Sequence, residues 1–221
     1  MSKGNSMERA RMMKALGARV DLVDQAPDSI KGQVSGRDLE LVEDRTNELV
    51  KELNAFRADQ FVNMANAKAH KEGTGPEIWN QSSGIVTSFC DFVGTGGSFG
   101  GCASFLKPKG VKCYVIEPSG AAILQRKSVT RPSHRIQGGG YAMKDLPCIF
   151  PNDVDGYLEI TDEEAIQAAR TLAKLEGIFG GFSAGANVAA AVKVLQRNKD
   201  EVVAILICDS GLKYLSTDLW E

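Results

Sequence analysis

Ser88-Phe-Cys-Asp-Phe-Val-Gly-Thr-Gly-Gly-Ser98 is the stretch whose reading decides the fold. Ile85 to Val93 is rich in β-branched and aromatic residues and reads as a buried strand. Gly94-Thr-Gly-Gly-Ser98 breaks it, and Ser98 to Leu106 then reads as a helix. A glycine turn at a helix start presents several backbone N–H groups and the positive end of the helix dipole, which together suit a phosphate. Thr95 and Ser98 add hydroxyl donors. The plainer alternative is a turn that only joins strand to helix closely. A Walker loop is excluded, because no Gly-Lys-Ser/Thr stands here. A dinucleotide fingerprint G-x-G-x-x-G fails at its sixth position, which is Phe99. Glu117 nonetheless ends the next strand where a ribose-binding acid would stand, so an NAD(P)-dependent dehydrogenase reading stays open.

Downstream, Val111 to Ile116 reads as a strand and Thr161 to Leu175 as a helix, with Thr161 as N-cap and Glu164 in the capping-box position. Gly177 to Gly180 is a short strand or turn, Ala184 to Leu195 a helix and Val202 to Cys208 a strand. Upstream, a helix runs from an N-cap at Ser6 to Leu16 and stops at Gly17; Arg19 to Val23 alternates like a strand. Gln25 to Gly36 is a loop, Asp38 to Leu53 a helix, and Gln60 to Val62 a short strand. A polar stretch, Asn63 to Gly75, precedes Pro76 at the first turn of a helix through Trp79. Alternating strands and helices give an α/β fold: a mostly parallel sheet covered on both faces.

With 43% hydrophobic and 24% charged residues, the 221-residue chain is globular and fits one large domain or two small ones. A net charge of −2 without a basic run gives no argument for nucleic acid or an anionic membrane. No apolar run reaches the roughly 20 residues of a membrane helix, and no secretory signal pattern opens the chain. The five cysteines form no C-x-x-C pair and read as free thiols of a reducing, cytoplasmic compartment.

A second small-residue turn, Gly180-Gly-Phe-Ser-Ala-Gly-Ala-Asn187, leads into a helix. Ser183 is either a ligand contact or simply that helix's N-cap. Cys208-Asp-Ser-Gly211 closes the last strand at the carboxyl end, where open α/β sheets bind ligands, although Asp209 could equally be a turn residue.

Taken together, these segments resemble the cysteine synthase (O-acetylserine sulfhydrylase) family of fold-type II pyridoxal-phosphate enzymes. The resemblance is carried by Gln60-Phe-Val-Asn63, Asn66, His70, Thr74-Gly-Pro-Glu-Ile-Trp79 and Gly94-Thr-Gly-Gly-Ser98. It continues through Val115-Ile-Glu-Pro118, His134-Arg-Ile-Gln-Gly138, Gly181-Phe-Ser-Ala-Gly-Ala186 and Asp209-Ser-Gly-Leu-Lys-Tyr-Leu-Ser216, covering essentially the whole chain. Ser98 stands for the usual threonine, Met64 for the usual proline, and Gly138-Gly-Gly-Tyr141 for a longer apolar variant at the active-site mouth.

The resemblance implies a tryptophan synthase beta-like fold: a three-layer parallel-sheet cofactor domain over 67–221 and, over 1–66, a remnant of the smaller substrate domain. It implies pyridoxal 5′-phosphate (PLP) as cofactor, with Gly94, Thr95, Gly96, Gly97 and Ser98 around its phosphate, Ser183 at its ring nitrogen, and Asp209 as a further cofactor-binding residue. Gln60 and Gly138 would lie near a small amino-acid substrate. The implied reactions are β-replacement or elimination on an O-activated serine or cysteine. The family's Schiff-base lysine belongs to an amino-terminal Ser-x-Lys motif upstream of the matched segments, and no lysine here stands in one; Ser2-Lys-Gly-Asn-Ser6 aligns instead with the start of a later Glu-Arg helix. The expectation is therefore a chain without a catalytic lysine that holds PLP non-covalently at best and is inactive alone. A homodimer, or pairing with a complementary or full-length subunit, is the expected assembly. A non-catalytic PLP- or partner-binding module is the alternative.

Overall fold

A computed structural model describes residues 1–221. Its centre is a four-stranded, all-parallel sheet: β1 (Ser88–Phe92), β2 (Lys112–Pro118), β3 (Gly156–Ile160) and β4 (Val203–Ile205), in the order β3-β2-β1-β4. Side chains of a strand alternate between faces, and β1 follows this period of two. Cys90 and Phe92 pack with Ile116, Leu158 and Ile160 against α6 (Asp162–Glu176) and α7 (Phe182–Arg197). Phe89 and Val93 pack with Cys113 and Val115 against α5 (Gly97–Leu106). Helices thus cover both faces, giving the expected three layers. No helix is long and apolar enough to cross a membrane.

The remaining helices are α1 (Met7–Ala15), α2 (Gly36–Leu53), α3 (Ala65–Ala69) and α4 (Gly75–Gln81), with a π-helical turn His70–Thr74 joining the last two. The Thr161 capping box on α6 forms as expected, and α2 has a second one on Ser35 and Asp38. Ser6 stands at the N-cap of α1 but makes no side-chain capping bond.

Several sequence expectations need correction. Arg19 to Val23 forms no strand and contributes one isolated bridge, Ser2 to Val23. Gln60 to Val62 is a turn: Asp59, at φ 39°, accepts hydrogen bonds from the N–H groups of Val62 and Asn63, which curls the chain. The polar stretch from Asn63 is largely helical, because Ala67 and the flanking π-helical turn pack onto α5. Strand β3 lies at the sheet edge with mixed burial, and its sequence carries no strong strand pattern. Ser183 is not the N-cap of α7; Gly181 is, and the helix begins at Phe182.

Candidate functional site

The carboxyl end of β1 is where the site assembles. Gly96, with φ 84°, turns the chain into α5, a conformation that only glycine adopts without strain. The first turn of α5 has no capping side chain and no acidic residue. The backbone N–H groups of Gly94, Thr95, Gly96, Ser98 and Phe99 find no acceptor within the chain, while that of Gly97 meets Thr95 Oγ1 at 3.3 Å. Thr95 Oγ1 also accepts from Asn66 Nδ2 at 2.9 Å, which leaves its own hydrogen free to donate. Free amides at a helix N-terminus, with a hydroxyl beside them, form an anion cradle.

Tight packing behind the turn fixes this geometry. A Cβ on Gly97 would fall 2.0 Å from Asn66 Oδ1, and one on Gly100 would fall 1.7 Å from the Cys148 carbonyl oxygen. Asn66 Nδ2 also donates to the Gln60 carbonyl at 2.9 Å, so Gln60 is tied to Thr95 through one side chain. That places Gln60, whose side chain is exposed, at the rim of the cradle.

The Gly138–Gly140 loop closes against the same strand end: Gly140 donates its N–H to the Val93 carbonyl at 2.9 Å. A Cβ on Gly94 would meet the Gly138 carbonyl at 2.7 Å, and one on Gly138 would lie 3.7 Å from Ser183 Oγ. Ser183 is buried in the first turn of α7, with its hydroxyl against the Cys208 thiol. Cup, loop and serine therefore meet at the end of β1.

Asp209 has its partners within its own turn and at Gly181. Its Oδ2 accepts from the Tyr214 hydroxyl at 2.6 Å and lies 3.6 Å from Lys213 Nζ, while its Oδ1 is buried without a partner against Gly181. Tyr214 in turn accepts from Arg9 Nη2 at 2.6 Å, which fastens α1 to the turn beneath Ser183. Glu117 is also committed elsewhere. It is buried and accepts from the amides of Leu124 and Gln125 at 2.8 and 3.2 Å, so it is closed to a ribose. A cavity of about 980 Å³, lined by residues such as Leu124, Arg126, Lys144 and Tyr157, contains none of the motif residues.

Two buried side chains were overlooked as site elements. Asp91, on β1, accepts from Ser98 Oγ at 2.6 Å and from Asn187 Nδ2 at 3.3 Å. Asn187 accepts from the Phe92 amide at 2.7 Å and donates to the Leu206 carbonyl at 2.8 Å. A lone acid inside an apolar strand and an asparagine inside a small-residue run were the only signals available.

The family model described as pyridoxal-phosphate dependent enzyme matches residues 1–209. The chain belongs to that family. It is 32% identical to the cysteine synthase of Buchnera aphidicola subsp. Acyrthosiphon pisum, over 100% of this chain and 70% of that protein. Cysteine synthase 3 of Caenorhabditis elegans is 36% identical, over 97% of this chain and 61% of its own length. Among solved structures, O-acetylserine sulfhydrylase isoform 3 of Entamoeba histolytica superposes with a TM-score of 0.83 at 33% identity, over 100% of this chain and 63% of that one. The chain thus spans between three-fifths and seven-tenths of these relatives, at the fold that the sequence predicted. Family members depend on PLP, and the residues present fit its phosphate: three glycines hold the backbone where five free amides and the Thr95 hydroxyl can bind an anion. Membership also closes the dehydrogenase alternative that the sequence left open.

Proposed function

We propose that this chain is the PLP-recognising part of a cysteine synthase-like enzyme acting by β-replacement or elimination on an O-activated serine or cysteine. The observation that carries the reading is the convergence of free amides at Gly94–Ser98 with buried Ser183 at the end of β1. When bound, PLP supplies the electron sink for breaking bonds at the substrate's Cα and Cβ. The chain's contribution is binding and orientation. Amides of the cup and the Thr95 hydroxyl hold the phosphate, and Ser183 donates its hydroxyl hydrogen to the ring nitrogen. A hydroxyl donates there without transferring a proton, so the ring remains a weak sink, which suits elimination from Cβ. Gln60 and Gly138 flank the substrate, and Asp209 acts indirectly by bracing Tyr214 beneath Gly181.

Residues 1–66 would serve the substrate side and 67–221 the cofactor. No lysine of this chain is buried, and Lys3 is held in an exposed pair with Asp24 at 2.6 Å. That supports non-covalent cofactor binding and no turnover by this chain alone.

The test is to incubate the chain with PLP, then dialyse or reduce with borohydride. The expected result is saturable binding that dialysis reverses, no cofactor mass on any lysine, and no cysteine formed from O-acetylserine and sulfide. A reduced lysine adduct or measurable turnover would overturn the reading.

A further inference from the structure

Four acidic residues of this chain are buried: Asp38, Asp91, Glu117 and Asp162. Asp38 caps α2, Glu117 binds loop amides, and Asp162 binds the Arg135 amide and Arg131. Asp91 alone touches the phosphate cup, and it does so through Ser98. A hydroxyl has one hydrogen, and that of Ser98 is spent on Asp91 Oδ2 at 2.6 Å. In this arrangement Ser98 has nothing to offer an anion. An ionised Asp91 would also face an incoming phosphate across a single hydroxyl group, in a desolvated place where charges of like sign repel strongly.

We propose that Asp91 is a proton-linked positioning residue of the cup, taking up one proton from solvent as a phosphate binds. The inference rests on the PLP reading of Gly94–Ser98. Protonated at Oδ2, Asp91 becomes the donor to Ser98 Oγ, and Ser98 turns its own hydrogen to a phosphate oxygen. Asn187 Nδ2 continues to donate to Asp91 Oδ1. No covalent bond changes; one proton is bound and two hydrogen bonds reverse or retarget.

The surroundings permit this exchange. Ser98 and Asn187 are the side chains hydrogen-bonded to the carboxylate, and no cation pairs with it. The titratable neighbours are thiols: Cys90 on β1, Cys102 on α5 and Cys208 beyond β4. Desolvation pushes each of them up to about 12, so they stay neutral at physiological pH. Desolvation likewise pushes the Asp91 carboxyl up to about 6, within easy reach of protonation when an anion arrives.

Asp91→Asn copies the protonated acid, because its Nδ2 can donate to Ser98 while its Oδ1 accepts from Asn187. The experiment is isothermal titration of native chain and Asp91→Asn with PLP and with inorganic phosphate, each in buffers of different ionisation enthalpy near pH ~7.5. Native chain should take up close to one proton more than Asp91→Asn per ligand bound. The variant should bind about tenfold more tightly near neutral pH, and that advantage should vanish toward pH ~5. Equal proton uptake by the two proteins would overturn the inference while leaving the cup reading intact. No binding of either ligand to either protein would overturn the cup reading and the inference with it. Should the variant not fold, carbon-13 carboxyl titration of the native chain provides the second readout. The Asp91 midpoint should rise by at least about two and a half units on saturation with PLP, and an unmoved midpoint would contradict the proposal.

Discussion

Gly100→Ala is expected to destabilise the chain by about 3 kcal/mol or more, despite alanine's advantage of roughly 1 kcal/mol over glycine inside a helix. The new Cβ would stand 1.7 Å from the Cys148 carbonyl oxygen, and that neighbour is backbone. Relief therefore needs movement of the segment around Leu146 and Ile149, both of which pack on the face of the sheet that α5 covers. Close-packed interiors do not absorb such a shift cheaply. Gly73→Ala provides the control, since it lies in the π-helical turn with open space around the site of its Cβ. Urea unfolding should show a large fall in midpoint for Gly100→Ala and little change for Gly73→Ala. Equal midpoints for native chain and Gly100→Ala would refute the packing account.

Asn187→Ala should cost roughly 2–4 kcal/mol, because it strands the buried Phe92 amide at about 1–3 kcal/mol and takes a donor worth about 1 kcal/mol from the half-buried Leu206 carbonyl. Strand β4 pairs with β1 only from Ser88 to Cys90, so beyond that point the ladder lacks a partner for the Phe92 amide. The Asn187 side chain substitutes for the missing strand, accepting from Phe92 and donating to Leu206. Asn187→Asp sharpens the test. It retains the acceptor for Phe92 but places a second carboxyl group beside Asp91. Asp91 already has a folded-state value raised to about 6 by desolvation, above that of an unfolded aspartate. A raised acid binds more protons folded than unfolded, so its favourable contribution is present at low pH and lost as pH rises through the folded value. Asn187→Asp should therefore regain stability below about pH 5 relative to pH 7, more steeply than native chain. Chemical denaturation at the two pH values checks it, and parallel profiles for the two proteins would count against this arrangement.

How far the sequence reached depended on whether a feature was local. Gly94 to Ser98 could be read because a glycine turn between an apolar strand and a helix declares its own geometry. The α6 capping box was equally local, with Thr161 and Glu164 three residues apart. Arg19 to Val23 failed for the opposite reason: alternation reports which face is buried, while pairing needs a partner elsewhere in the chain, and only Ser2 meets it. Strand β3 was missed because its burial is mixed along an edge. Asp91 and Asn187 are 96 positions apart, so the bond between them has no trace in spacing. Asn66 was visible as part of a motif, but its part in joining Gln60 to Thr95 required the turn at Asp59 to be known.

The central claim is that Gly94–Ser98 binds the phosphate of PLP. Phosphorus-31 NMR of PLP titrated with native chain and with Gly97→Ala tests it most directly. In the variant, a Cβ 2.0 Å from Asn66 Oδ1 would push that side chain away from Thr95 and deform the cup without removing any amide. A saturable phosphorus shift with native chain, weakened at least about tenfold in a folded Gly97→Ala protein, is the predicted result. An unshifted signal with native chain, or the same shift and affinity in both proteins, would contradict the account.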